Sequence, residues 1–192
     1  MIVEYVYCRL NLKYARTWKG AVLMTEKVIE SNNVTVYGTV TSKPEFSHEM
    51  YGEGFYTVYM EVPRLSDISD TLPITISERL VQGLNVDVGS TLLVEGQLRS
   101  YNKYHEGNNK LILTIFARNL KPIDQEVKNP NQIYLDGYIC KKPIYRTTPF
   151  GREITDMLLA VNRPYNKSDY IPCIAWGRNA RYSENLKVGE RI

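Results

Sequence analysis

The chain has 192 residues, 43% hydrophobic and 23% charged, with a formal net charge of +3, enough for one large domain or two small ones. No stretch is long and apolar enough to cross a bilayer, and the three cysteines, Cys8, Cys140 and Cys173, lack metal-ligand spacing. Their sparse, odd number points to a reducing compartment.

Residues 1–31 read as an N-terminal extension. Residues 1–23 carry a net charge of +3, and Arg9 and Lys13 interrupt any apolar run that a signal peptide needs. Two readings stay open. One is a translated leader ahead of Met24, since codons for Lys19-Gly20-Ala21 can form a purine-rich ribosome-binding sequence. The other is an ordered N-terminal strand or helix.

From residue 32 the pattern is that of strands. Val34, Val36, Gly38 and Val40 alternate with polar neighbours, as do Tyr56, Val58, Met60 and Val62, and then Leu72, Ile74 and Ile76. Period two marks half-buried strands. Ser77 is the expected N-cap of a short helix through Leu80, Val81 and Leu84. Leu92, Val94 and Leu98 begin a fourth strand, Asn102 to Asn109 read as a polar turn, and Leu111 to Arg118 form a fifth. Three strands, a helix and two strands is the order of the OB barrel, a platform for nucleic acids. The Pro, Asn and acidic residues of 123–131 suit a linker.

The chain then repeats itself. Gly38, Lys43, Pro44, Phe46, Gly52, Arg64 and Leu72-Pro73 recur at a constant offset of 99 as Gly137, Lys142, Pro143, Tyr145, Gly151, Arg163 and Ile171-Pro172. Val88-Gly89 recurs at 100 as Val188-Gly189. The expected fold is therefore all-β with short helices: two tandem five-stranded OB barrels, at 32–122 and 132–192. The second is incomplete, because Ile192 is the counterpart of Leu92 and the last hairpin has none. An open barrel leaves unpaired edges, which would be disordered or covered by a neighbouring chain.

Charge divides unevenly between the halves. Residues 24–131 sum to −4 and residues 132–192 to +4, so an anionic partner belongs on the second half. There, Ile171, Cys173 and Ala175 take the core positions, so Tyr170 and Trp176 face the other way. Large aromatics on an outer face suit base stacking, with Tyr165 in the preceding loop as a third ring. Packing roles for these rings remain as alternatives. Lys141, Lys142, Arg146, Arg152, Arg163, Lys167, Arg178 and Arg181 could follow a phosphate backbone. Gly38 and Gly137 suit strand bends. The two histidines, His48 and His105, lie in polar turns. No nucleophile–base pair and no glycine-rich phosphate loop can be assembled, so neither catalysis nor a cofactor is expected.

Gly137, Pro143, the turn from Arg146 to Gly151, Leu159-Ala160-Val161-Asn162-Arg163 and Trp176-Gly177 together resemble the bacterial single-stranded DNA-binding protein family. Val94-Glu95-Gly96-Gln97-Leu98-Arg99 resembles that family's fourth strand. The resemblance implies non-enzymatic, sequence-nonspecific binding of single-stranded DNA in replication, repair or recombination, within the bacterial cytoplasm at the nucleoid. It implies stacking by Tyr165, Tyr170 and Trp176, and by Tyr101 or Tyr104 in the first copy's last hairpin. The first copy departs at Ser66, Thr71 and Ser77, which puts its own binding in doubt. Four OB folds per assembly imply a homodimer. The family's acidic tail is absent from this sequence, which leaves recruitment of replication or repair proteins open. Competing expectations are a replication-restart or RNA-binding OB protein, and a protein-interaction module without nucleic acid.

Overall fold

The computed structural model describes residues 6–8, 31–64, 68–84, 86–105, 107–124, 127 and 131–192. In chain order the elements are β1 (Val6–Cys8), β2 (Asn32–Val40), β3 (Glu45–Met50), β4 (Glu53–Pro63), β5 (Ser69–Ser77), α1 (Glu78–Gly83), β6 (Thr91–His105), β7 (Asn108–Pro122), β8 (Gln132–Leu135), β9 (Tyr138–Ile139), β10 (Ile144–Thr147), β11 (Glu153–Arg163), β12 (Lys167–Trp176) and α2 (Arg178–Ser183). The described residues are mostly strand, with two short helices. They divide into two compact units, one of residues 32–134, the other of β1 with residues 135–192.

In the first unit the pairings close on themselves. β4 pairs with β5, β5 with β7, β7 with β6, β6 with β2, and β2 returns to β4. The β5–β7 contact is parallel, and the other four are antiparallel. The alternating valines of β2 face inward, where Val34, Val36 and Val40 meet Val58, Met60, Ile74, Ile76, Leu92, Val94 and Ile115, all buried. Burying such side chains contributes roughly 1.5–3 kcal/mol each. Asn32 is buried among them, and its amide both donates to and accepts from the Leu98 backbone, at 2.7 and 2.8 Å.

Three local readings of the sequence need correction here. β3 has no signal in the sequence because every residue in it is exposed; it is held by β4 through a two-residue turn in which Tyr51 (φ 52°) and Gly52 (φ 78°) are both left-handed, the geometry that matches strand twist. The polar stretch from Asn102 to Asn109 is not a loop. β6 and β7 continue through it, pairing as far as His105 with Asn108. Polar residues there reflect exposure on both faces, not a break in the ladder. Leu72 is only partly buried. Ser77 is the N-cap residue of α1, as read from the sequence, without a side-chain cap hydrogen bond.

The second unit repeats several backbone hydrogen bonds of the first. Val40 N–H donates to Ser90 and Gly89 N–H to Val40; at the repeat offset, Ile139 N–H donates to Glu190 and Gly189 N–H to Ile139. Gly38 and Gly137 stand where a neighbouring backbone comes close. A Cβ on Gly38 would collide with the Glu61 carbonyl oxygen, and one on Gly137 with that of Ala160. Ile139, Met157, Leu159, Val161, Ile171, Cys173 and Ala175 form the core, capped by α2, whose Ala180 carbonyl accepts from the buried Thr155 hydroxyl at 2.8 Å.

The free edge expected on the second unit is occupied. β1 pairs with β12 in parallel, Val6 opposite Cys173 and Cys8 opposite Ala175. A strand of the same chain lies there, where a disordered edge or a neighbouring chain was expected. The leader reading for residues 1–5 and 9–23, and the readings of Ser66 and of 125–126 and 128–130 as linker, lie outside the described residues.

Candidate nucleic-acid interface

Alternation along β12 sorts its side chains. Asp169, Ile171, Cys173 and Ala175 are buried, whereas Tyr170 is 50% exposed and points the other way with Pro172, Ile174 and Trp176. The antiparallel register with β11 then sets the rows of this outer face. Tyr170 sits opposite Ala160, and Trp176 opposite Ile154. Neighbouring strands extend the rows. Tyr138 on β9 also lies opposite Ala160, and Arg146 on β10 lies opposite Ile154.

The result is two cross-strand rows. One runs Tyr138, Ala160, Tyr170, with two exposed rings flanking a small residue. The other runs Arg146, Ile154, Trp176. Tyr138 was not found from sequence, because its first-unit counterpart, Thr39, carries no aromatic signal. Its exposure of 40% beside a buried Ile139 reveals it. Trp176 is partly buried, with its indole nitrogen out of solvent, so it offers less ring surface than Tyr170.

Tyr165 stands apart from the rows. It is 94% exposed at the tip of the β11–β12 hairpin, with φ of 63° followed by Asn166 at 54°. A tyrosine rarely adopts this left-handed region, and the hairpin closed by Arg163 opposite Lys167 imposes it.

The basic residues divide by engagement. Arg146 forms an ion pair with Asp156 at 2.6 Å, and Arg163 lies 3.1 Å from the fully buried Asp169. Arg181 is paired with Glu153, which also accepts the Tyr145 hydroxyl at 2.6 Å and thereby holds that phenol above its usual range. Lys141, Lys142, Arg152, Lys167 and Arg178 are exposed, and no ion pair among the described residues engages them.

On the first unit, Thr71 and Ser77 hold the places of Tyr170 and Trp176, and Thr71 is exposed. Aromatic exposure there lies elsewhere. Tyr101 and Tyr104 project from β6, 51% and 71% exposed. Partial burial, with Tyr59 nearby, holds the Tyr101 phenol above its ordinary value. Among the described residues, no cluster of three or more His, Cys, Asp or Glu could hold a metal, and no helix is long and apolar enough to cross a membrane.

Residues 130–192 match the model of the single-strand binding protein family. A single-stranded DNA-binding protein of Thermus thermophilus is 26% identical over 125 residues, covering 56% of this chain and 48% of its own length. The chain thus spans about half the length of that curated relative. The crystal structure of the single-stranded DNA-binding protein from Thermus aquaticus superposes with a TM-score of 0.68 at 20% identity, over 83% of this chain and 81% of that one; the two share a fold. The dimeric N-terminal domain of the PriB protein from Thermoanaerobacter tencongensis is 52% identical, over 50% of this chain and all of its own, with a TM-score of 0.44.

Proposed function

We propose that this chain is a non-enzymatic protein that binds single-stranded DNA without sequence preference, through the outer face of β11 and β12. The observation that carries the reading is the Tyr138–Ala160–Tyr170 row, with Trp176 on the same face, inside the segment that matches the family. Exposed rings along a strand face suit stacking of successive bases, and lysines and arginines around them suit the phosphates. The two units are read as tandem OB barrels, residues 32–122 and 132–192, joined by 123–131. The ring of pairings in the first unit and the repeated hydrogen bonds in the second support this. Pairing of two such chains into a homodimer with four OB folds, in the cytoplasm, belongs to the same reading, as does a role in replication, repair or recombination.

The test is titration with a poly-thymidine oligonucleotide, followed by fluorescence in a Trp18→Phe background so that Trp176 reports alone. Quenching is expected, and Tyr170→Ala should weaken binding about ten-fold, the lower range of 1–3 kcal/mol per stacked base. Absence of any binding at low salt overturns the reading. Equal competition by duplex DNA would turn it towards nonspecific charge, and preference for RNA would change the ligand.

A further inference from the structure

We propose that β1 takes, in the second unit, the place that β7 holds in the first, so that the β12 edge is a docking surface for the chain's own N-terminal segment.

Three observations converge on this. The first is register. In the first unit β5 takes β7 in parallel, Ile74 opposite Ile115 and Thr75 opposite Phe116. The repeat offset of 99 carries Ile74 to Cys173 and Thr75 to Ile174. Those two residues of β12 face Val6 and Tyr7, again in parallel. β1 thus holds the place, direction and register of β7. The second is sequence. Aligned by that register, Ile115-Phe116-Ala117-Arg118 matches Val6-Tyr7-Cys8-Arg9, and Asn119-Leu120-Lys121 matches Asn11-Leu12-Lys13 after one extra residue, Leu10. The alignment that the register sets thus pairs residues of like character. The third is need. Ile174 is buried although it belongs to the outer row. Its counterpart Thr75 is covered by β7, through a hydrogen bond of 2.9 Å to Thr114. An apolar residue at an open parallel edge invites pairing with whatever strand is at hand. A strand of this chain, with the sequence of a fifth strand, is the occupant.

The inference does not rest on DNA binding, and its test reads amide exchange. In the unaltered full chain, the amides of residues 6–8 should exchange at least about ten-fold more slowly than an unstructured peptide. Consecutive N–H groups of a strand point to opposite sides, so in the double variant Val6→Pro, Tyr7→Pro one lost donor must face β12. That variant should lower protection at 172–176 about ten-fold and leave residues 55–62 of the first unit unchanged. A second variant, Ala175→Cys, should form an intrachain disulfide with Cys8 on oxidation, detected as a linked peptide in a monomeric chain. Free exchange at 6–8, unchanged protection at 172–176 in the proline variant, or no disulfide overturns the proposal. A disulfide found only between two chains, with protection that falls on dilution, also overturns it, by making the occupant a second copy.

Discussion

Arg163 Nε lies 3.1 Å from the Asp169 carboxylate, which is fully buried, and Arg64 holds Asp70 at 2.6 Å at the same two positions of the first unit. The offset of 99 relates both members. An arginine conserved between the two halves of one chain, at the root of the hairpin in each, is tied to the fold before it is tied to a ligand. Arg163 therefore stands differently from the other cations on this face. Its side chain is 29% exposed and already neutralises a charge beneath it.

Arg163→Ala should leave the Asp169 carboxylate buried and uncompensated. The expected cost is about 3 kcal/mol, the low end for breaking a buried pair, since one partner is partly solvated. Urea unfolding followed through Trp176 measures it. Arg64→Ala, in the more exposed pair, should cost about 1 kcal/mol or less. Equal losses at the two sites would contradict the burial argument.

Gly137→Ala places a methyl group against the Ala160 carbonyl oxygen, part of the backbone that pairs with β9. The strands must separate, at about 1–3 kcal/mol, and Tyr138 moves with them. Thermal unfolding should show the loss, and oligonucleotide affinity should fall with it. Gly151→Ala tests a different cause. Nothing crowds that site, but its φ of 73° is left-handed, so the cost should be smaller, about 1 kcal/mol.

The first unit should lose stability in acid through Glu95. Its carboxylate accepts from Asn119 at 2.8 Å and from Lys121 at 3.2 Å. These bonds hold its pKa below the ordinary value of 4.5, Asn119 contributing most. A depressed folded pKa adds stability that is present above the unfolded value and is lost as pH falls through the folded one. Between pH 6 and pH 3 the urea midpoint of the unaltered chain should therefore fall further than that of Glu95→Gln. Parallel curves would remove Glu95 from the account.

Most of the architecture was legible because of the repeat. Fixing the core face of β5 from its alternation fixed that of β12, and with it the outward direction of Tyr170. What stayed hidden had a physical reason in each case. β3 is exposed on every residue, so no periodic burial marks it. Tyr138 belongs to a strand too short to show a period. The pairing of Arg163 with Asp169 depends on a hairpin that brings residues six apart together, which charge counts do not report. β1 was hidden most deeply, since its partner stands more than 160 positions away in the chain.

The division of the cations predicts how binding responds to salt. Each phosphate contact removed should lower the slope of log K against log salt by about 0.7 for a single strand. Lys142, Lys167, Arg152 and Arg178 are exposed and have no ion pair among the described residues, so alanine at any one that touches phosphate should lower the slope by that amount and leave folding unchanged. Arg146 already spends its charge on Asp156 at 2.6 Å. Arg146→Ala should lower the slope by less, because the freed carboxylate repels the strand that the arginine no longer attracts, and the loss should appear as weaker binding at every salt concentration. Tyr138→Ala should do the reverse of the lysines. It should weaken binding about ten-fold with the slope intact, while Tyr51→Ala, a fully exposed ring on the first unit, should change neither. A Tyr138 variant that binds as tightly as the unaltered chain would confine the stacking surface to β12 and its hairpin.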